Sequence, residues 1–197
     1  MADAQRPLAT QSVGDGRLAR PVIGRAELVY ENPYQRITRQ TADFGSFSKE
    51  YFVSHYGTRV AVVVARGSDI LLCRQWRLLM GRLSLEVPGG KLEPEETLEA
   101  AAIRECFEET GVRCRNLKPL LFYLAGTDII DNPCHVFYTA DIVEIAQRSD
   151  QREAEPPTWV PLARCLELIF AREIVDGLSA MALLAYQRQQ GCGGTRG

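Results

Sequence analysis

The chain has 197 residues, 46% of them hydrophobic and 24% charged, the make-up of an ordinary globular protein long enough for one domain with a substantial core. Its formal net charge of -2 gives no basic field for a nucleic-acid backbone. Its longest apolar runs, such as Val60 to Ala65 and Leu117 to Ala125, fall far short of the roughly 20 residues that span a bilayer, so neither nucleic acid nor membrane is expected as a partner.

Residues 1–24 are small and polar, with Arg6, Arg17 and Arg20 and no continuous apolar core of signal-peptide type, and they read as a flexible tail. From Ala26 to Ala65 come the strand-like runs Glu27 to Tyr30, Tyr34 to Gln40, Lys49 to His55 and Val60 to Ala65. Asn-Pro, Gly-Ser and Gly-Thr pairs punctuate them, which predicts antiparallel strands joined by tight turns. Residues 25–58 are taken as an N-terminal strand region and 59–189 as the main domain. Further strands are expected at Ile70 to Gln75 and at Leu83 to Val87, the latter running straight into Pro88-Gly89-Gly90.

Between Pro94 and Thr110 the pattern turns helical, with Glu95 and Glu96 favouring the N-terminal dipole and Gly111 placed as a stop. Leu98, Ala102 and Cys106 make one apolar stripe of it. Strands follow at Leu120 to Leu124 and His135 to Asp141, then a polar segment from Gln147 to Pro157 and a strand from Thr158 to Pro161. A helical stretch from Leu162 to about Gln189 is expected to break near Asp176-Gly177, and residues 190–197 read as a frayed tail. The cysteines Cys73, Cys106, Cys114, Cys134, Cys165 and Cys192 form no Cys-x-x-Cys pair. They fit reduced thiols in a cytoplasmic protein.

The chemistry concentrates between Gly90 and Val112. Glu105, Glu108 and Glu109 stand at i, i+3 and i+4, so three carboxylates share one helical face. A solvated acidic face is the plain reading. Crowded like charges destabilise a helix, however, unless something positive sits among them, and oxygen-rich carboxylate sites suit Mg²⁺ or Mn²⁺.

The segment resembles the signature of the Nudix hydrolases, Gly-x5-Glu-x7-Arg-Glu-U-x-Glu-Glu-x-Gly-U with U a bulky apolar residue, and every fixed letter agrees from Gly90 through Glu96, Arg104, Glu105, Glu108, Glu109 and Gly111. Cys106 stands at an aliphatic position and is expected in the core behind the site. The resemblance implies an α/β/α sandwich with a mixed sheet. It further implies Glu105, Glu108 and Glu109 as metal ligands with the Gly89 carbonyl, Arg104 as the cation that steers them, Glu96 as a loop or outer-metal support, and turns permitted by Gly90 and Gly111. The implied reaction is metal-assisted attack of water on a diphosphate.

The flanks resemble the ADP-ribose pyrophosphatase branch, through Val29-Tyr30-Glu31-Asn32-Pro33, Arg74-Gln75-Trp76-Arg77, Leu85-Glu86-Val87-Pro88-Gly89-Gly90 and Trp159-Val160-Pro161-Leu162. That likeness puts Arg77 near the substrate phosphates and Glu86 and Gly90 against substrate. It makes Glu153 the general base and Glu155 its helper or a metal contact. It also implies a homodimer built on the N-terminal strands, with Tyr30, Tyr34 or Phe44 near the base. The stretch Ala125 to Asn132 departs from the proline-containing loop common in that branch. A GDP- or UDP-sugar substrate, or a broader diphosphate range, therefore stays open beside ADP-ribose, and Asp128 and Asp131 are read as turn formers ahead of substrate contacts. A Nudix-fold sensor without turnover is a separate alternative, disfavoured because every carboxylate of the signature is present.

Overall fold

A computed structural model describes residues 20–145 and 154–193. In chain order the strands are β1 (Val22–Ile23), β2 (Glu27–Glu31), β3 (Arg36–Asp43), β4 (Ser48–His55), β5 (Arg59–Arg66), β6 (Asp69–Arg77), β7 (Arg82–Glu86) and β8 (Gly89–Lys91). Helix α1 (Leu98–Thr110) follows, then β9 (Val112–Cys114), β10 (Lys118–Leu124), β11 (Ile130–Asp131), β12 (Pro133–Thr139), β13 (Ile142–Ile145) and β14 (Ala154–Pro161). Two helices, α2 (Leu162–Phe170) and α3 (Gly177–Gly193), end the described chain.

The central sheet runs β10-β12-β5-β6-β14, with β7 added on β6 and β8 on β5. β12 lies parallel to β5 while its other pairings are antiparallel, so the sheet is mixed. β5 reads Arg-Val-Ala-Val-Val-Val-Ala-Arg and is buried on both faces, as a nearly unbroken apolar strand at the centre of a covered sheet must be. Val60, Val62 and Val64 pack with Leu71 against Ala101, Ala102 and Cys106 of α1. Ala61, Val63 and Ala65 pack with Ile70 and Leu72 against Cys165, Ala182, Leu183 and Tyr186 of the other two helices. Each buried valine contributes roughly 1.5–3 kcal/mol. The result is the expected three-layer α/β/α arrangement.

A second sheet, β1-β3-β4-β11 with β2 on β3, is built from the N-terminal strands. β3 and β4 pair antiparallel from Arg36 opposite His55 to Asp43 opposite Ser48, and Gly45, at φ 87, lets the turn between them close. β11 joins β4 in parallel and so ties this sheet to the loop between β10 and β12. His55 bridges the same junction, with Thr38 Oγ1 2.9 Å from its Nε2 and Asp131 Oδ2 2.9 Å from its Nδ1. Asp131 is thus a strand residue at a junction.

Two helix boundaries differ from expectation. α1 starts at Leu98, because Thr97 Oγ1 accepts the Ala100 N–H at 3.2 Å and caps it. Glu95 sits at φ 65, so Pro94 to Glu96 form a turn ahead of the helix. At the other end Gly111, at φ 72, closes α1 as expected, its N–H on Phe107 O at 2.8 Å. The last helical stretch breaks before Gly177, where Asp176 Oδ2 accepts the Ser179 N–H at 2.8 Å, but α3 then runs to Gly193, past the expected end at Gln189.

Candidate active site

α1 carries the carboxylates toward the loop that joins β7 to β8, while Cys106, on the opposite side of the helix, is fully buried in the core. Glu109 accepts the Gly89 N–H at 2.9 Å and the Gln75 side-chain amide, and Cys73 Sγ lies 3.7 Å from it. Glu105 lies so close to Gly90 that a Cβ there would overlap its carboxylate. The glycine pair thus forms a cradle: Gly89 donates its N–H to one carboxylate, and Gly90 leaves room for the other.

Arg104 holds the rest of the face. Its guanidinium donates to Glu96 Oε1 at 3.1 Å and Oε2 at 3.0 Å, to Glu105 Oε1 at 2.9 Å, to Glu108 Oε2 at 3.0 Å and to Lys91 O at 3.0 Å. Its hydrogen bond to Glu96 leads the pull that raises its pKa and, in return, lowers that of Glu96. These contacts are those that the steering role implied by the resemblance would need, and they fix Glu96 at the entrance to α1. Replacing Arg104 by Gln removes the cation shared by three carboxylates. Turnover is expected to fall roughly 10–100-fold, as when a metal site's supporting partner is lost, which kcat/KM of R104Q measures beside an unchanged circular dichroism spectrum.

Burial pushes the Glu109 carboxyl up, opposed by the bonds from Gly89 and Gln75, and the nearby Glu105 charge adds to the rise. Two carboxylates therefore face a common space at a cost that a cation would relieve. Among the described residues no three carboxylate, imidazole or thiol groups gather closely enough to enclose an ion. Mg²⁺ nevertheless usually takes only one or two carboxylates, with water and substrate phosphate oxygens completing its shell. The all-oxygen pair Glu105 and Glu109 fits that pattern, and Glu108, with 56% of its side chain exposed, is tied to Arg104 beside it.

A cavity of about 520 Å³ opens next to this face, with Gly89, Glu86, Arg77, Arg59, Tyr123 and Asp176 among its walls. Arg77 and Glu86, expected separately against substrate, are bound to each other. Nε donates at 2.8 Å to Oε1, and Nη2 meets Oε2. This pair keeps the guanidinium firmly protonated, with Asp176 adding to the effect. Asp176 also accepts the Ser179 hydroxyl at 2.7 Å, and that hydroxyl accepts the Val87 N–H at 3.0 Å, so the start of α3 is fastened to the strand entering the glycine loop.

Tyr30 lies half-exposed on β2, its hydroxyl accepting from Asn32 Nδ2 at 2.9 Å, and does not line this cavity. Tyr34 is exposed, and Phe44 stacks on Phe47 in the turn between β3 and β4. Asp128 lines a second space of about 520 Å³ beneath the N-terminal sheet, which meets the first at Leu124. Glu153 lies outside the described residues. The backbone of Glu155 belongs to β14 and pairs with Arg74. Sequence reasoning missed the grip of Gln75 on Glu109 and the presence of Arg59, Tyr123 and Asp176 in the cavity. Gln75 stood in a quoted motif and Asp176 at a predicted break, whereas nothing local marked Arg59.

The fold and site together define a hydrolase of the Nudix type. The Nudix domain pattern matches residues 55–176, and the chain belongs to that family. It is 30% identical over 178 residues to the CMP-5'-(N-acetyl-N-hydroxy-3-aminopropyl)phosphonate hydrolase of Streptomyces rubellomurinus, covering 88% of this chain and 84% of that protein. It is also 30% identical over 148 residues to the ADP-ribose pyrophosphatase of Bacillus subtilis, covering 74% and 80%. Among solved structures, an ADP compounds hydrolase superposes with a TM-score of 0.80 at 19% identity over 92% of this chain and all of that one, a likeness of fold.

Proposed function

We propose that this enzyme hydrolyses the diphosphate of a nucleoside diphosphate sugar with Mg²⁺, or Mn²⁺ in its place, and that ADP-ribose is its leading substrate, giving AMP and ribose 5-phosphate. The observation that carries this reading is the Glu105 and Glu109 pair at the glycine cradle, opening beside a cavity lined by Arg77 and Glu86. When bound, the metal would neutralise diphosphate oxygens and lower the pKa of the attacking water. Glu105 and Glu109 would hold it, with Glu108 and the Gly89 carbonyl as further donors. Arg104 keeps Glu105 and Glu108 aimed. Arg77, fixed by Glu86, presents its remaining N–H groups to the cavity. Glu153 would take the proton from water, with Glu155 at the start of β14 assisting.

The likeness to the phosphonate hydrolase favours a second substrate, a nucleoside monophosphate joined to a phosphonate, which contains the same P–O–P bond. The test is a Mg²⁺-dependent chromatographic assay of ADP-ribose beside GDP-mannose, UDP-glucose and a CMP-alkylphosphonate at equal concentration. AMP and ribose 5-phosphate forming fastest is the expected result. Faster cleavage of another compound would transfer the specificity to it, and no cleavage of any would leave a binding protein.

Metal binding should also show in stability. A carboxyl whose pKa is raised by folding contributes stability below its unfolded value and loses it as pH rises through the folded value. Glu109 is such a group, so it destabilises the metal-free fold at neutral pH, where Mg²⁺ offsets the repulsion. Mg²⁺ at about 100 times its Kd should add roughly 2.7 kcal/mol, read as a Tm rise of several degrees at neutral pH that shrinks toward the carboxylate range of about pH 4. An equal rise at both pH values would contradict the assignment.

The chain is further proposed to act as a homodimer in the cytoplasm. The N-terminal sheet leaves Val22, Ile23, Leu28 and Phe52 about half or more exposed in a single chain, which supports pairing with a second copy, and light scattering tests it. Five thiols, Cys73, Cys106, Cys114, Cys134 and Cys165, are free and buried, which supports a reducing compartment. Among the described residues no helix is long and apolar enough to cross a membrane.

A further inference from the structure

Arg59 opens β5 between two partner strands, opposite Cys134 of β12 on one side and Lys91 of β8 on the other. Alternation along the strand sets it on the same face as Ala61 and Val63, the side covered by α2 and α3, and away from α1. Its side chain lines the cavity that Gly89 and Glu86 also line. Its charge acts on Tyr123 and on Cys134, both walls of that cavity.

The two arginines of the cavity differ in what holds them. Arg77 has spent two of its nitrogens on Glu86, whose side chain is only 8% exposed. A phosphate that drew Arg77 away would leave that carboxylate buried without a partner, which is strongly unfavourable. The Arg59 side chain is half-buried and has no hydrogen-bond or ion-pair partner among the described residues. Adjacent strands lie about 4.8 Å apart, so a guanidinium rooted opposite Lys91 and on the face of Ala61 reaches the cavity that Gly89 lines. A planar fork of N–H donors facing that space suits phosphate oxygens.

We propose that Arg59 is the principal anchor for the substrate's diphosphate, binding the oxygens on the side away from Glu105 and Glu109, and that Arg77 acts mainly by positioning Glu86. The proposal rests on the diphosphatase reading of this site and assigns the anion-binding role within it. A diphosphate lying across Gly89 would then be held from both sides, by the carboxylate-bound cation on the α1 side and by Arg59 on the α3 side.

Isothermal titration with inorganic pyrophosphate and with ADP-ribose, in EDTA to prevent turnover, tests this directly on the full chain. R59Q should weaken both ligands about 10–100-fold, the worth of a charged hydrogen-bonded contact. R59K should fall between R59Q and wild type, because a point charge replaces the fork. R66Q removes an arginine stacked over Trp159, 4.1 Å from the ring centroid, and should bind as wild type does. In the Mg²⁺ assay R59Q should raise KM with kcat nearly unchanged. Equal pyrophosphate affinity in wild type and R59Q, or no binding by either, would overturn the proposal. ADP-ribose cleavage with KM untouched by R59Q would overturn the anchor and leave the proposed reaction standing. Arg59-dependent pyrophosphate binding without ADP-ribose cleavage would do the reverse. If R59Q lowers Tm, R59K carries the comparison.

Discussion

Glu109→Gln should leave the chain folded and lower turnover on the order of 10²–10³-fold, the loss that follows removal of one preorganised electrostatic partner. Its surroundings explain why the two effects separate. The carboxylate is half-buried, held by the Gly89 N–H at 2.9 Å and by the Gln75 amide, and crowded by Glu105. A neutral amide of the same shape keeps an acceptor for Gly89, donates to Gln75 once that side chain turns its oxygen inward, and removes the repulsion from Glu105. Tm should therefore hold or rise. The charge proposed to hold the metal is lost, so kcat/KM should collapse. Undiminished turnover in E109Q, measured beside its Tm, would remove Glu109 from the site.

How much of this site could be read in the sequence depends on how far apart its partners lie along the chain. Glu105, Glu108 and Glu109 are joined by helical spacing alone, and Arg104 reaches Glu108 one turn on, so these relations were legible. The Gly111 cap was legible too, since a glycine after a helical pattern has one common purpose. The start of α1 was misplaced because Pro94, Glu95 and Glu96 suit a first turn as well as Thr97 suits a cap, and only the Thr97 bond decides between them. Arg77 and Glu86 were each picked out, but their pairing follows from the β6–β7 hairpin, which folds one strand back along the other. Arg59 became visible only through its pairing with Cys134, far along the chain, and with Lys91. The parallel contact of β11 with β4 is of the same kind, two residues whose pairing no local pattern signals.

The adjacent glycines of the cradle should respond to the same substitution in opposite ways. Gly89 faces Ala61 of β5, and a Cβ there would lie 2.8 Å from both Ala61 Cα and Cβ and overlap the Val60 carbonyl oxygen. None of these atoms can retreat without shifting β5, the strand buried on both faces at the centre of the sheet. Gly89→Ala should therefore cost roughly 2–3 kcal/mol in stability, seen as a Tm several degrees lower. At Gly90 the added carbon would overlap only the carboxylate end of Glu105, which is flexible and can swing away. Gly90→Ala should keep nearly the wild-type Tm while Glu105 leaves its place, so turnover should fall on the order of 10²-fold and the Tm rise with Mg²⁺ should diminish. The cradle thus separates two requirements that one glycine pair satisfies, backbone contact with β5 at Gly89 and room for the Glu105 carboxylate at Gly90. An active G90A protein with an undiminished response to Mg²⁺ would show that Glu105 does not need that room.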